Sequence, residues 1–581
     1  MSVSPAVNLS RNSSLRSEFG ERRTSSTPNT RRPSLRSTPS RRNSAMLEGD
    51  SPEEVFVGAI DQGTTSTRFI IFDRNGQPQA QHQVEFEQIY PKPGWIEHDP
   101  EEIRSSVSTV LSKATKNFLD QGRRMRQLQA VGITNQRETT VVWDAETGRP
   151  LYNAIVWADT RTTETVQQLK RRPGSDKIFE LCGLPITTYF SAVKLRWILD
   201  HVEDAREAYN EGALMFGTID SWLIWNFTGG INGGIHVTDP TNASRTMLMN
   251  IRTLQWDQEL IDFFDLGKVI LPEILSSSEV YGKMSTGPLA GIPISGCLGD
   301  QSSALVGQQA FNPGDAKNTY GTGCFLLYNT GETPVLSKNG LLTTVGYKFG
   351  DKKPVYALEG SIAVAGSSIK WLRDGLGLIK ESSEISDLAA SVEDAGGVIF
   401  VPAFSGLFAP YWRDDVRGTM LGITHYTTKA HICRATLEAI CFQAKAILDA
   451  MNKDSGTPLK VLKVDGGVTN SDTCMQIQSD TIGLRVERPA MRETTALGAA
   501  IAAGFAVGVW SDFSELSSIN QEGKDIFEPA IEESVRDERF GLWERAVRQS
   551  CGWLKRDEVE ELKDGVEQMT LVQAEEKAEN A

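Results

Sequence analysis

Apolar residues run through Val55–Ile60 and return in Arg68–Asp73, and both stretches read as strands. Between them lie Asp61, Gly63, Thr64, Thr65, Ser66 and Thr67, far more hydroxyls than a tight turn requires. Asn75-Gly76 predicts a hairpin turn, because both residues tolerate positive φ. Asp99 followed by Pro100 and two glutamates predicts a helix start: a capping side chain, a preset φ, and acids at the positive end of the dipole. Ile103, Val107, Val110, Leu111 and Phe118 then share one face, so this helix packs on a core. Further strands are expected at Ala130–Thr134 and Thr139–Asp144. The second half has the same flavour. Lys317–Glu332 places a Gly/Thr turn between two candidate strands, and Leu459–Ser471 is an apolar strand ending in Asp465-Gly466-Gly467. The pattern suggests two similar α/β domains facing across a cleft. Leu497–Trp510 is nearly apolar but too short for a membrane span, which needs about 20 residues, and reads as a buried helix.

Composition divides the 581 residues further. Residues 1–50 are rich in Ser, Arg, Thr and Pro, and too poor in large apolar groups to offset their ordering entropy, so a disordered arm is expected. It carries Arg-Arg-x-Ser at Ser25, Ser34 and Ser44, where a protein kinase could cancel local positive charge. Residues 51–307 and 308–555 are the two expected domains, and 556–581 a charged tail. The net charge of −15 excludes a nonspecific nucleic-acid binder. Seven dispersed cysteines without a CxxC pair fit reduced thiols. A cytoplasmic location is expected. Mitochondrial association is the alternative, since the arm is Arg- and Ser-rich like a transit peptide although Glu18 and Glu21 interrupt it.

The turns carry the candidate chemistry. No GxxxxGK[ST] and no helix-opening GxGxxG occurs, which excludes a Walker loop and argues against a dinucleotide fold. A hairpin loop can bind phosphate differently. Gly63 permits close backbone approach, successive N–H groups form an anion-binding concavity, and Thr64, Thr65 and Ser66 add hydroxyl donors. Arg68 supplies a cation, and Asp61 is a hard oxygen ligand that can hold Mg²⁺ against a polyphosphate. The alternative is a Ser/Thr-rich surface hairpin whose Asp caps its own backbone.

The stretches AIDQGTTSTRF, GITNQRETTVVWD, NAIVWADTR, GDQSSALVGQ, KNTYGTGCF, VPAFSGLFAPYW and VDGGVTNSDTCMQIQSD together resemble the FGGY carbohydrate kinase family, from about Val55 to Trp553. The resemblance implies two duplicated ribonuclease-H-like (actin-type ATPase) domains flanking a catalytic cleft. It implies transfer of a phosphoryl group from ATP to glycerol with Mg²⁺, giving sn-glycerol 3-phosphate, in an enzyme expected to be a homo-oligomer (dimer or tetramer). By matching motifs, Asp300 becomes the catalytic base. Arg137, Glu138, Tyr189, Asp300 and Gln301 hold the glycerol hydroxyls, and Trp157 and Phe325 pack on its carbons. Thr64, Thr65, Ser66, Arg68 and Thr322 contact phosphates, while Gly366, Gly467, Asn470 and Ser471 line the nucleoside pocket. Bland alternatives stand beside these roles: Asp300 as a helix N-cap, Arg137–Glu138 as a surface ion pair, Trp157 and Phe325 as core.

The chain departs from the family pattern in places. Lys370 replaces an amide near the nucleotide, and Ser471-Asp472 replaces an Asn pair. The stretch MSTGPLAGIPISG lacks the Arg through which bacterial members bind fructose 1,6-bisphosphate, so such inhibition is expected to be weak. Another sugar kinase and a non-catalytic actin-like ATPase remain as rival readings.

Overall fold

The computed structural model describes residues 54–520 and 523–554. The arm with Ser25, Ser34 and Ser44 and the charged tail from 556 lie outside the described residues.

Strands β1 (Phe56–Gln62), β2 (Ser66–Asp73), β3 (Pro78–Glu85), β4 (Leu128–Asn135), β5 (Ser278–Lys283) and β6 (Pro293–Gly299) form a 6-stranded sheet in the order β5-β6-β4-β1-β2-β3. Strands β7 (Asp315–Tyr320), β8 (Cys324–Gly331), β9 (Leu342–Tyr347), β10 (Val355–Ile362), β11 (Val461–Asp465), β12 (Val486–Arg488) and β13 (Asp525–Phe527) form a 7-stranded sheet in the order β9-β10-β8-β7-β11-β12-β13. The duplication is visible in the pairing. Reading β3-β2-β1-β4-β6 gives antiparallel, antiparallel, parallel, parallel. Reading β10-β8-β7-β11-β12 gives the same series. This is the two-domain, actin-like, ribonuclease-H-like architecture. Each first hairpin carries the Gly/Thr turn.

The layers follow from strand alternation, which sends successive side chains to opposite faces. Phe56 and Ile60 of β1 join Phe69 and Ile71 of β2 under α1 (Pro100–Asp120), together with Ile103, Val107, Val110, Leu111 and Phe118. Asp99 caps α1 by accepting from the Glu101 N–H. The intervening Val57, Ala59, Ile70 and Phe72 face the other way, into a core shared by both halves. That core holds two helices: α2 (Asp300–Gly307) from the first half and α6 (Thr494–Ala506) from the second, the latter being the buried helix expected from the apolar run. α2 brings Leu305 and Val306 against Leu327, Tyr347 and Ala357 of the second sheet. Ser303 Oγ donates to the Thr495 carbonyl at 2.6 Å. Gln308 Nε2 and Thr494 Oγ1 both donate to Asp465 Oδ2, at 2.8 and 2.7 Å. The helix that begins at Asp300 is therefore anchored at its far end to the end of β11. The second sheet's other face packs on α4 (Lys429–Ser455) and α5 (Asp472–Ile482).

One expected strand is shorter than its pattern. Thr139–Asp144 is extended only from Val141 and pairs with Leu214–Gly217 outside the main sheet. The cause lies just before it: Glu138 has a left-handed backbone, φ 61°, which breaks the extended run. Among the described residues no helix is long and apolar enough to cross a membrane.

Candidate active site

Thr64, Arg137, Glu138, Trp157, Tyr189, Asp300, Gln301 and Phe325 line a cavity of about 70 Å³. All the residues expected to hold or pack against the alcohol are in this set, and Phe325 brings the second half into it. Arg137 and Glu138 follow β4, while Asp300 and Gln301 open α2. Glu138 is aimed by its unusual backbone, which Thr140 Oγ1 and Ser191 Oγ hold through the Glu138 carbonyl at 3.1 and 3.0 Å. A left-handed non-glycine costs of order 1–3 kcal/mol and persists where its surroundings over-determine it. Asp300 is the first helical residue; Gly299 occupies the cap position. The aspartate's own side chain accepts from the Gln301 N–H at 2.7 Å. Trp157 and Phe325 are partly buried rather than core residues. The Trp157 ring meets the Tyr189 and Phe325 rings edge-on at 5.6 and 5.8 Å, giving the pocket an aromatic wall. Trp157 Nε1 donates to Thr64 Oγ1 at 3.0 Å, linking that wall to the first turn.

The pocket floor is a chain of alternating charges. Arg137 Nε lies 3.2 Å from Asp300 Oδ1. The same guanidinium grips Glu359 of β10 with both terminal nitrogens, at 2.7 and 2.9 Å. Arg245 joins Glu359 at 3.1 Å to Glu138 at 2.5 Å. Arg137 and Glu138 are thus buried and bonded to other partners, not a surface pair. Burial would raise the Glu359 carboxyl, but the Arg137 and Arg245 guanidinium groups outweigh it and hold it at about 2. Burial pushes Glu138 up, with Arg245 and Arg137 opposing. Burial also pushes the Tyr189 phenol up, so it stays a neutral hydroxyl. Paired donors and acceptors surround a small volume, as a polyol with little apolar surface requires. Glu359 and Arg245 were missed as site residues. A lone acid within the otherwise apolar strand VYALEGSI was a usable signal, since a buried charge demands partners.

The first turn is braced by side chains. Gly63 N donates to the Ser66 carbonyl at 3.0 Å. Gln88 Nε2 donates to the Thr64 carbonyl at 3.0 Å, and Gln136 Nε2 to the Gly63 carbonyl at 3.1 Å. His98 sits between these amides, its Nε2 2.9 Å from Gln88 Oε1 and its Nδ1 3.4 Å from Gln136 Nε2. Thr65 is exposed, and Thr64 and Ser66 are partly so. Arg68 is already engaged, 2.6 Å from Glu493 and 3.9 Å from Asp61. Burial pushes the Asp61 carboxyl up to about 6; Arg68 lowers it, and Glu493 and Asp300 raise it. A buried carboxylate short of positive charge suits a hard cation, and Asp61 fits that use.

The second turn is held by backbone. The Thr322 carbonyl accepts from Ala365 N and Ser367 N, both at 3.0 Å, and the Gly321 carbonyl from Gly366 N at 3.1 Å. Gly366 opens α3 (Gly366–Asp374), so Thr322 and Gly366 are neighbours. Gly466, with φ +92°, lies so close that a Cβ there would sit 2.4 Å from the Tyr320 carbonyl. Gly467 and Asn470 are exposed beyond it. Ser471 differs from its companions. It is buried, and its hydroxyl is occupied as the cap of α5, accepting from Cys474 N at 3.0 Å.

The profile of the FGGY family of carbohydrate kinases, N-terminal domain, matches residues 56–307, and that of the C-terminal domain matches residues 316–507. The chain belongs to the FGGY family of carbohydrate kinases. Within that family its similarity is to proteins named glycerol kinase. That of Renibacterium salmoninarum is 57% identical over 507 residues, covering 86% of this chain and 99% of the relative. That of Pseudarthrobacter chlorophenolicus is 55% identical with the same coverage. The crystal structure of Plasmodium falciparum glycerol kinase with ADP is 40% identical with a TM-score of 0.80, over 86% of this chain and 98% of that one. Gluconate kinase from Lactobacillus acidophilus shares the fold at 23% identity and a TM-score of 0.75, over 85% of this chain and 98% of that one.

Proposed function

We propose that this chain transfers the terminal phosphoryl group of ATP to a primary hydroxyl of glycerol, giving sn-glycerol 3-phosphate and ADP. The observation that carries this reading is the pocket itself. Arg137, Glu138, Tyr189, Asp300 and Gln301 meet around one small volume closed by Trp157 and Phe325, with the first turn at its edge. A pocket built to hydrogen-bond hydroxyls rejects analogues that leave its buried groups unpaired.

Asp300 accepts the hydroxyl proton as the alcohol oxygen bonds to phosphorus and the bond from that phosphorus to its bridging oxygen breaks. Its side chain is 29% exposed, and Arg137 steadies it from behind. Thr64, Thr65 and Ser66 offer donors to the phosphates from the first half, and Thr322 from the second. Arg68 reaches a phosphate by exchanging Glu493 for it. Gly366, Gly467 and Asn470 border the nucleoside, and Ser471 contributes by fixing the α5 terminus. Asp61 would hold Mg²⁺, which neutralises charge on phosphate oxygens. Water resembles the alcohol as a nucleophile, so closure of the two halves serves to exclude it.

Product analysis after incubation with MgATP and glycerol, xylulose or gluconate tests the reading, and glycerol phosphate is expected. Asp300→Asn should lower turnover by about 10²–10⁴-fold while ATP still binds. Absence of any phosphorylated product would favour a nucleotide switch, and preference for a sugar would replace glycerol.

A further inference from the structure

We infer that Lys317 is a positioning residue for Asp300, acting through the amide of Gln301. The inference rests on the pocket being the site of the acceptor alcohol.

Lys317 lies on β7 and is fully buried. Its ammonium donates to Gln301 Oε1 and, at 3.1 Å, to Thr319 Oγ1. Gln301 Nε2 donates in turn to Asp300 Oδ2 at 3.1 Å. An ammonium can only give protons, and a carboxylate can only accept them. A side chain between the two must show oxygen to one and N–H to the other, and the amide of Gln301 does both. Lys317 therefore decides which way that amide faces. Without it the amide is free to turn its oxygen against Asp300, setting lone pairs against lone pairs. The carboxylate's other oxygen accepts from Gln301 N at 2.7 Å and forms an ion pair with Arg137, whose Nε lies 3.2 Å away without a hydrogen bond. Lys317 and Arg137 thus orient Asp300 from opposite sides, one through an amide and one directly.

The charged groups facing the ammonium are Asp465, Asp300 and Glu359, with Arg137 opposing them. Burial is the larger influence and brings Lys317 down to about 8. A buried lysine is costly unless its protons are used, and two of the three go to Gln301 and Thr319. The contact also spans the halves, since α2 is attached to the first sheet and β7 belongs to the second. Alignment of the base is coupled in this way to the strand that leads into the second turn.

Lys317→Met keeps the length and removes the donor, whereas Lys317→Arg keeps a donor-only group. Steady-state constants for alcohol and ATP are measured separately, with thermal unfolding alongside. For Lys317→Met, kcat should fall about 10- to 100-fold, the scale of a misaligned reacting group. The KM for the alcohol should rise, the KM for ATP should stay unchanged, and Lys317→Arg should recover most of the loss. Wild-type constants in Lys317→Met would overturn the inference. So would a loss shared equally by both KM values and thermal stability, with no recovery in Lys317→Arg. If Lys317→Met does not fold, Lys317→Gln replaces it. That amide can meet Gln301 in either sense, so a smaller loss with the same split between the KM values is expected, and unchanged constants overturn the inference. Should the wild-type protein phosphorylate xylulose or gluconate in place of glycerol, the substrate reading falls and Lys317 is tested on that alcohol. No product from any of the three would sink both.

Discussion

The two hairpin turns occupy the same place in duplicated sheets, yet they are built differently. In the first, Gln62 pairs with Thr67 and Asp61 with Arg68. In the second, Tyr320 pairs with Cys324 and Thr319 with Phe325. The register makes Thr319 the counterpart of Asp61, and Phe325 the counterpart of Arg68. The second turn closes over Gly321–Gly323, one residue fewer than the first. It folds with no acid and no cation at its base, so the hairpin itself does not require them. In the first half that position carries a charged pair; in the second it carries a hydroxyl bonded to Lys317 and a ring facing the pocket. Under the proposed function the difference has a simple reading: Asp61 and Arg68 serve the metal–phosphate, and their counterparts serve the acceptor side.

Asp61→Asn is the sharpest way to break this contrast. It keeps the shape and removes the charge. If Asp61 serves the metal–phosphate, kcat should fall about 10²-fold or more, the scale for losing one electrostatic contact to developing charge. The Mg²⁺ concentration needed for half-maximal rate should rise as well. A loss under about fivefold, with unaltered Mg²⁺ dependence, would reduce Asp61 to a hairpin residue like Thr319.

The bracing of the second turn gives a smaller effect. A Cβ on Gly366 would stand 2.6 Å from the Gly321 carbonyl, which is backbone and has little room to yield, and 3.3 Å from Val468 Cγ2. Gly366→Ala should therefore push the turn outward. Overpacking of about 1–2 kcal/mol corresponds to roughly 5- to 30-fold weaker ATP binding. Calorimetric titration with ATP reads this directly, and glycerol binding should be unaffected. Equal weakening of both ligands would mean that the turn is not an independent nucleotide element.

The same contrast explains how much was legible in advance. Strands flanking a Gly/Thr turn, the Asp99-Pro100 helix start and the apolar run of α6 are local signals, and each appears where expected. The pocket residues lie in short motifs that could be matched without coordinates. Glu359 was legible only as a lone acid in an apolar strand and Arg245 not at all, because their partners sit 222 and 107 positions away, at Arg137 and Glu138. The left-handed Glu138 was hidden for a related reason: Thr140 and Ser191 impose it, and no turn residue announces it. Lys317 stood out only as the first residue of the stretch around the second turn, since only the fold sets its ammonium against Gln301.

The smallest effect comes from the side-chain bracing of the first turn, which contains a titratable group where the second contains none. His98 bonds as a neutral ring: one nitrogen accepts from Gln136, and the other donates to Gln88. A second ring proton would point at the Gln136 amide hydrogens. Burial lowers His98 from 6.5 to about 4. Between those values the unfolded chain binds a proton that the folded chain refuses, so stability falls as pH drops below about 6.5 and levels off near 4. Above about 6.5 the contribution is fully present. Burial lowers His236 to about 4 as well, while it raises Asp61 and Asp239 to about 6, whose titration works in the opposite direction, so urea unfolding of the wild-type protein reads the sum of these contributions. His98→Asn should remove one histidine contribution, so between pH 6.5 and 4 the variant should lose less stability, or gain more, than the wild-type protein by that amount. The ATP KM of the wild-type protein should also rise toward low pH, through the Gln88 and Gln136 bonds to the Thr64 and Gly63 carbonyls, and that rise should be lost in His98→Asn. An unchanged slope in the variant would mean that the first turn, like the second, is held without regard to proton concentration.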